Sequence, residues 1–340
     1  MKFIHIADVH WGARPEREQT FGRIREQEIK ETFQRVIDHA NKQQVDLLLI
    51  AGDLFDQPPT QQELREVDYL LFRLNHTRTV LIAGNHDHLE PHDVFSQYKW
   101  NSEVYLLDGK QRDHISFEDL ETTIYGFSYW KNQITKPLYD RMKPDESESS
   151  DFSILLAHGG DESHIPIQRE ALKWSGFDYI ALGHIHKPMK VGSELYRYCG
   201  TPLACSVSEA QQQKGIIMVE MGVKGEIKTT ILPLEPLRQV KVVKGTLEEV
   251  LKESCKDYVT VVLTDKADLD VIDMQERIRL AFPNLLEIRR ENQRKTDYTR
   301  TLQTEELLDP YELCCSFLKD LDEEEKMILQ DVLHTVQGVK

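Results

Sequence analysis

The stretch TVLIAGNHDHL, residues 79–89, joins an apolar run to a cluster of polar side chains. The apolar part predicts a buried β-strand, which ends at Gly84. An amide, an imidazole and a carboxylate follow at once, as Asn85, His86 and Asp87. On its own such a run is also compatible with an ordinary loop, so its meaning depends on how the other strands end.

Four further predicted strands end in the same residue types. Each is a short apolar run that stops at aspartate or histidine. The polar residues at these ends are Asp8 and His10 after FIHIA (3–7), Asp53 after LLLIAG (47–52), His158 after FSILLA (152–157), and His184 and His186 after YIALG (179–183). A single histidine or Gly-Asp pair of this kind is more often structural, but five such ends in order are not expected by chance.

The carboxyl ends of neighbouring strands in an α/β sheet meet at one edge, where ligands bind. Seven nitrogen and oxygen donors without a thiolate would meet there, and such donors suit manganese, iron or zinc. Seven are too many for one ion with an open position, so the set favours two ions that share a carboxylate. The period of two in Asp8-x-His10 and His184-x-His186 predicts that each pair points to one face of an extended strand.

The acidic composition limits the classes of function. The 340 residues carry a net charge of −16, whereas a free-standing nonspecific DNA-binding protein is normally basic. The acidity is concentrated at the end of the chain, since residues 301–340 hold ten acidic and three basic side chains. This charge either faces a basic partner or serves solubility, and both interpretations stay open.

Features that point to membranes or secretion are missing from the sequence. No apolar run reaches about 18 residues, so no membrane span is predicted. The start, MKFIHIAD, turns polar too early for a secretion signal. The five cysteines are odd in number and lack zinc-type spacing, so reduced thiols in the cytoplasm are expected.

Two folded segments are expected before the C-terminal tail. Residues 1–235 alternate short apolar runs with helical patterns, including a T-x-x-E capping box at Thr60–Glu63. This alternation predicts an α/β domain with helices covering its sheet. Residues 236–291 follow the pattern strand-helix-strand-helix-strand, which predicts a small α+β module.

The last segment, residues 292–340, contains two predicted helices after a polar bridge (292–304). The first starts at Asp309-Pro310 and the second at Asp322, which three glutamates follow. Each has an apolar face, formed by Tyr311, Cys314, Leu318 and Leu321 in the first helix and by Ile328, Leu329, Val332, Leu333 and Val336 in the second. These faces pack on the protein's own body or on a partner. We favour a partner, because the segment follows both other segments and carries much of the acidity.

Along residues 8–186 the sequence contains, in order, D-x-H, G-D, G-N-H-D, a lone histidine and G-H-x-H. This set resembles the signature of the calcineurin-like metallophosphoesterases. DVHWG (8–12), GDLFDQPPT (52–60) and the C-terminal segments are similar to those of the Mre11/SbcD family of nucleases, so the resemblance spans nearly the full chain. It implies a calcineurin-like metallophosphoesterase β-sandwich flanked by helices in 1–235, a small α+β capping domain in 236–291, and a linker and C-terminal helices for partner docking in 292–340.

The resemblance also implies how the polar residues would act. It implies two divalent metal ions, one bound by Asp8, His10, Asp53 and His186, the other by Asp53, Asn85, His158 and His184, with Asp53 bridging. His86 would face the scissile phosphate and stabilise the transition state or the leaving oxygen, and Asp87 would orient His86 through a hydrogen bond. Manganese is the expected metal, with iron or zinc as alternatives. Asp56 stands where many relatives have a histidine.

The implied activity is that of a DNA exonuclease or endonuclease in DNA repair and recombination, which hydrolyses phosphodiester bonds with water. The chain lacks a G-x-x-x-x-G-K-[ST] loop, so ATP would be bound by a partner, an SbcC/Rad50-like ATPase. A homodimer is implied as well, through helices of the first 80 residues. Two alternatives stay open: a phosphodiesterase or phosphatase acting on small molecules or proteins, and a non-catalytic regulatory protein, against which the intact donor set argues.

Overall fold

A computed structural model of the chain describes residues 1–110, 112–145, 150–222, 226–265, 271–291 and 323–336. The chain forms two compact units, Met1–Arg289 and Arg290–Lys340. The predicted polar bridge and the first predicted tail helix, with its face of Tyr311, Cys314, Leu318 and Leu321, lie outside the described residues.

The described elements are fifteen strands and six α-helices. The strands are β1 (Lys2–Ile6), β2 (Leu47–Ala51), β3 (Arg78–Ile82), β4 (Val104–Leu106), β5 (Asp113–Phe117), β6 (Thr122–Gly126), β7 (Phe152–His158), β8 (Tyr179–Gly183), β9 (Met189–Lys190), β10 (Tyr196–Tyr198), β11 (Gly215–Met221), β12 (Ile227–Pro233), β13 (Val240–Gly245), β14 (Tyr258–Leu263) and β15 (Leu285–Arg290). The helices are α1 (Gly22–Gln43), α2 (Gln61–Leu71), α3 (Arg169–Lys173), α4 (Leu247–Val250), α5 (Val271–Ala281) and α6 (Glu323–Val336).

Two six-stranded sheets form the large part of the first unit. The first sheet has the order β12-β11-β1-β2-β3-β4, and the second has the order β5-β6-β7-β8-β10-β9. The central strands β1 to β4 of the first sheet run parallel, as do β6, β7, β8 and β10 of the second. Strand ends of both sheets can therefore present loops at a common edge, as parallel strands do.

The two sheets pack face to face through alternating side chains. In β2, Leu47, Leu49 and Ala51 join an apolar cluster with residues of the second sheet, such as Ile154. The intervening Leu48 and Ile50 belong to a separate cluster with α1 and α2. Because side chains alternate along a strand, β2 is buried on both faces, by a sheet on one and by helices on the other. The calcineurin-like sandwich flanked by helices is confirmed.

The helices that cover the first sheet follow from local sequence. In α1, Ile29, Phe33 and Val36 are buried at helical spacing. The predicted capping box of α2 is confirmed, since the Thr60 side chain accepts a hydrogen bond from the Glu63 N–H and the Glu63 side chain accepts one from the Thr60 N–H. The predicted helices thus cover one face of the first sheet, and the second sheet covers its other face.

A third sheet, β13-β14-β15, carries α4 and α5 and has its own apolar cluster. This is the predicted succession of strand, helix, strand, helix and strand. The sheet contacts α1, where the Tyr258 hydroxyl donates to the buried Glu28 carboxylate over 2.9 Å and the Tyr258 ring lies 5.5 Å from that of Phe21. The boundaries 1–235, 236–291 and 292–340 stay a prediction.

Helix α6 is the described element of the second unit. It begins at Glu323, beside the predicted start, and runs to Val336. Ile328 and Val332 of its predicted apolar face are exposed, at 60% and 51%. Within the described ranges, no helix has the length and apolar character needed to cross a membrane.

Candidate metal centre

The seven predicted donor residues come together where strands of both sheets end. Strands β1, β2 and β3 contribute from the first sheet, and β7 and β8 contribute from the second. Close approaches join His158 Nε2 to Asn85 Oδ1 at 3.0 Å, His158 Nε2 to Asp53 Oδ2 at 3.3 Å, and His10 Nε2 to His186 Nε2 at 3.2 Å. Donor atoms within 4.8 Å of one another form the groups Asp8–His10–His186, Asp8–Asp53–His158 and His10–Asp53–His86.

The backbone turns sharply at four of these residues. Asp8, His10, Asp53 and His184 have φ angles of 55°, 52°, 50° and 94°, in a region that residues other than glycine seldom occupy. The prediction that Asp8 with His10, and His184 with His186, point alike because they lie on extended strands was therefore wrong. They lie beyond the strand ends, and left-handed turns direct the side chains into the site.

Two glycines leave room for the donors. A Cβ atom at Gly84 would overlap the Asp53 carboxylate, and one at Gly52 would overlap the His158 ring. Gly52 also has a φ of +89°, which only glycine adopts readily. These glycines allow neighbouring strand ends to approach closely enough for the donors to converge.

The first donor group contains Asp8, His10 and His186. His10 Nδ1 faces Asp56 Oδ1 at 3.3 Å, and His186 Nδ1 faces Glu209 Oε1 at 3.4 Å. A carboxylate beside Nδ1 favours the proton on that nitrogen and leaves the lone pair on Nε2. The two Nε2 atoms face each other at 3.2 Å, so their lone pairs fit a cation between them.

A second set of contacts joins Asp53, Asn85, His158 and His184. The Asn85 carbonyl oxygen lies 3.0 Å from His158 Nε2 and 3.1 Å from His184 Nδ1. His158 Nδ1 donates to the Ala51 carbonyl over 2.8 Å, which fixes the tautomer and frees Nε2 as a donor to metal. Histidine, asparagine and carboxylate donors fit a divalent transition-metal ion.

Burial and charge shape ionisation at the centre. Burial alone would raise the pKa of Asp53, but the adjacent His158 outweighs it and holds that pKa well below its usual range. Burial lowers the pKa of His158 and the Asp53 carboxylate raises it, with a net increase to about 9. Burial, and then the charge of Asp53, raise the pKa of Asp87 to about 7. Bound protons thus compensate buried negative charge here, and metal binding replaces such protons.

His86 lies at the exposed side of the donor cluster, and its ring centroid is 4.7 Å from that of His10. Its backbone N–H donates to Asp53 Oδ1 over 2.9 Å, and its Nδ1 donates to the Asp56 carbonyl over 2.9 Å. The prediction that Asp87 orients His86 was wrong. The Asp87 carboxylate accepts from the N–H groups of Gly84 and Phe55, at 2.7 and 3.1 Å, so it holds two loops of the site together.

Several supporting residues were missed from the sequence. Asp161 Oδ2 accepts from His184 Nε2 over 2.7 Å and from His164 Nδ1 over 2.9 Å. Glu209 is buried beside Lys214, at 2.7 Å, and faces His186. The only signal for Asp161 was its place three residues after His158, in HGGD.

Two family models match the chain. Residues 1–188 match the calcineurin-like phosphoesterase model. Residues 234–321 match the SbcD C-terminal model, described as "Type 5 capsule protein repressor C-terminal domain". The first match contains all seven donors and His86, and the second begins near the third sheet.

Similar proteins extend over most of the chain. The chain is 26% identical over 323 residues to the SbcD subunit of the nuclease SbcCD from Staphylococcus epidermidis, covering 84% of each protein. It is 25% identical over 328 residues to "DNA double-strand break repair protein Mre11" of Methanopyrus kandleri, covering 82% of this chain and 71% of the relative. It is 32% identical over 213 residues to "Uncharacterized metallophosphoesterase YhaO" of Bacillus subtilis, covering 57% of this chain and 50% of the relative.

The fold, the donor cluster and these matches all indicate a calcineurin-like phosphoesterase. Divalent metal ions are implied by the family, and the nitrogen and oxygen donors described above suit them. The chain therefore belongs to the calcineurin-like phosphoesterase family and is a metal-dependent hydrolase that carries an SbcD-type C-terminal domain.

Proposed function

We propose that the chain is an SbcD/Mre11-like DNA nuclease that hydrolyses phosphodiester bonds with two divalent metal ions. The observation that carries this proposal is the convergence of seven donors from two sheets on one edge, with His86 beside them. The relatives named as an SbcCD nuclease component and as Mre11 support DNA as the substrate, since each aligns with more than four fifths of the chain.

We assign the donors in two sets. Asp8, His10, Asp53 and His186 would hold one ion, and Asp53, Asn85, His158 and His184 would hold the other. Bound there, two divalent ions supply Lewis-acid stabilisation of phosphate oxygens and lower the pKa of water. Manganese is our proposed metal, and iron or zinc would suit the same nitrogen and oxygen donors.

His86 is the proposed catalytic residue. Its Nδ1 is held by the Asp56 carbonyl, which leaves Nε2 as the ring nitrogen available to substrate. The ring is exposed, and when it also carries a proton on Nε2 it can donate a hydrogen bond from that nitrogen to a phosphate or to the leaving oxygen. A positioned group of this kind contributes roughly 10²- to 10⁴-fold to a rate.

We further propose an SbcC/Rad50-like ATPase as a partner of the C-terminal segment. The match to an SbcD C-terminal model over residues 234–321 and the exposed Ile328 and Val332 of α6 support this assignment. An apolar helix face that lies in a groove of a partner helix pair is a common docking mode. We also propose that the chain forms a homodimer within this assembly. The assembly would function in DNA repair in the cytoplasm.

Hydrolysis of small phosphodiesters or phosphoproteins is the alternative. The same donors would serve that chemistry. The match of residues 234–321 to an SbcD C-terminal model favours the nuclease, because the similar SbcD subunit of S. epidermidis is named as part of a nuclease.

The test uses the purified chain with Mn²⁺, linear duplex DNA and bis-p-nitrophenyl phosphate. Wild type, His86→Ala and the control His76→Ala, an exposed histidine outside the donor groups, are compared. Cleavage of both substrates by wild type and the control, with at least a 10²-fold loss in His86→Ala, is expected. DNA cleavage that persists in His86→Ala contradicts the catalytic assignment. Hydrolysis of the small diester alone, even with the ATPase added, contradicts the nuclease.

A further inference from the structure

A basic groove is formed mainly by residues of the segment between β6 and β7. We define it by five exposed cationic residues along its walls: Arg112, Lys131, Lys136, Arg141 and Lys143. Its volume is about 1170 Å³, above the roughly 300–1,000 Å³ of pockets that enclose small ligands. Among the described residues along its walls, Asp145 is the one acidic residue. In a chain with a net charge of −16, such an excess of positive charge on one surface indicates an anionic ligand.

Among the described residues, most of this positive charge makes no ion pair. Arg112 lies 3.5 Å from Asp145. Within the described part of the chain, Lys131, Lys136, Arg141 and Lys143 take part in no ion pair. Glu146 and Glu148 follow Asp145 in sequence, outside the described residues. The charge of these four cations, which no described carboxylate pairs, is what the groove offers to phosphates.

The floor of the basic groove is apolar and aromatic. Ile134 and Met142 are buried, and Trp130 and Leu138 are partly buried against the same apolar cluster. A partly exposed indole beside cationic side chains is typical of surfaces that bind single-stranded nucleic acid, where bases stack on aromatic rings and phosphates meet the cations.

Direct contacts connect the basic groove to the metal centre. The Tyr129 hydroxyl donates to the carbonyl of His158, a proposed metal ligand, over 3.1 Å, and Trp130 is the next residue in the chain. Ile134 accepts from the Ile165 N–H and donates to the Ser163 carbonyl, at 2.6 and 3.0 Å. The groove floor is thus attached to the loop that carries Asp161.

We propose that the basic groove binds a single strand of the DNA that the metal centre hydrolyses. Phosphates contact the five cations, and a base stacks on Trp130. This inference rests on the proposed nuclease function and adds to it the surface along which the strand runs. A strand on this groove is held by charge and stacking, so its binding is independent of base sequence.

The experiment measures binding and hydrolysis separately. Fluorescence anisotropy with a short labelled single-stranded oligonucleotide, in EDTA so that the strand is not cut, compares wild type with the double variant Lys136→Gln/Arg141→Gln. The control is Lys42→Gln/Lys228→Gln, which removes two exposed charges from α1 and β12. Salt is varied between about 50 and 200 mM. Hydrolysis of bis-p-nitrophenyl phosphate with Mn²⁺ reports on the metal centre of each variant.

The groove variant is expected to bind the strand more weakly than wild type. The slope of log K against log[salt] should fall by about 1.4, because each single-strand phosphate contact contributes about 0.7. The control should retain the wild-type slope, and all three proteins should hydrolyse the small diester equally. Equal affinities and slopes for the groove and control variants would overturn the proposal that the groove binds DNA. An absence of wild-type binding at low salt would overturn it as well. Wild-type binding without DNA cleavage contradicts the nuclease function but supports binding of a single strand by the groove.

Discussion

The Nε2 atom of His184 donates to the Oδ2 atom of Asp161 over 2.7 Å, on the side of the ring away from Asn85. Two other histidines of the donor cluster have a similar arrangement, since Asp56 lies beside His10 and Glu209 lies beside His186. Each carboxylate can hold the ring and the tautomer in which the opposite nitrogen binds metal.

Asp161→Asn should weaken metal binding, because the amide lacks the negative charge that the Asp161 carboxylate offers to the His184 N–H. We expect a loss of about 10- to 100-fold in Mn²⁺ affinity or in diester hydrolysis, the usual effect of removing such a partner. Calorimetric titration with Mn²⁺ measures the affinity directly. Glu162→Gln is the matched control, since Glu162 is exposed on the same loop. Equal affinities of the two variants would show that Asp161 does not position His184.

Gly84→Ala should abolish metal binding. The added Cβ atom would overlap the Asp53 carboxylate and the Asp53 backbone nitrogen, so the proposed bridging carboxylate has to move. We expect a loss of diester hydrolysis of at least 10²-fold. Gly222→Ala serves as the control, because a Cβ atom there makes only ordinary contacts with Glu226, at 3.4 Å or more, and the backbone φ is not positive. Full activity of Gly84→Ala would show that Gly84 does not lie as close to the Asp53 carboxylate as the structure indicates.

His5 should make stability depend on pH. Burial lowers the pKa of this histidine from 6.5 to about 3, so below pH 6.5 the unfolded chain takes up a proton that the folded chain does not. Its contribution is full above that pH and is lost as pH falls from about 6.5 towards 3. Between pH 7.5 and 5.0 this loss is about 2 kcal/mol.

Urea unfolding at both pH values measures this effect in wild type and in His5→Gln, which cannot take up the proton. The fall in the free energy of unfolding between pH 7.5 and 5.0 should be about 2 kcal/mol smaller in the variant. Because other groups titrate equally in both proteins, the difference isolates His5. An unchanged fall would mean that His5 is protonated in the folded protein.

Tyr258→Phe should destabilise the attachment of the third sheet. The Tyr258 hydroxyl donates to Glu28, which is 4% exposed and also pairs with Arg238. Loss of one hydrogen bond to a buried carboxylate costs about 1–3 kcal/mol. Chemical denaturation should show this loss, whereas Tyr69→Phe should be neutral, because Tyr69 is 69% exposed. Equal stabilities would show that Arg238 alone satisfies Glu28.

The sequence predicted that seven polar side chains lie together, but not which residues hold them in place. Asp53, Asn85 and His158 each follow an apolar run, and the strand ends of a sheet meet at one edge, so their convergence was predictable. Asp56, Asp161 and Glu209 follow no such rule. Asp161 lies on a loop and Glu209 ends a short 3₁₀ helix, Val207–Glu209, and the positions of both depend on packing between distant segments.

The sandwich was harder to predict from sequence pattern alone than the strands themselves. In β2, apolar residues fill both faces, and such a run is compatible with helices or with another sheet on either side. The short strand β4 is partly buried along its whole length and shows no alternation of burial. The resemblance to the calcineurin-like metallophosphoesterases predicted the sandwich, which the apolar pattern alone did not determine.

The place of β1 within its sheet has a consequence for how the protein is made. Its first neighbour, β2, is synthesised soon after it, but its second neighbour, β11, comes much later and pairs Lys2 with Glu220. Every proposed metal ligand therefore leaves the ribosome before the strand that closes the edge of β1. We expect a nascent chain that stops before β11 to expose this strand edge, a site for aggregation, and to be removed by quality control before it could act as an unregulated hydrolase.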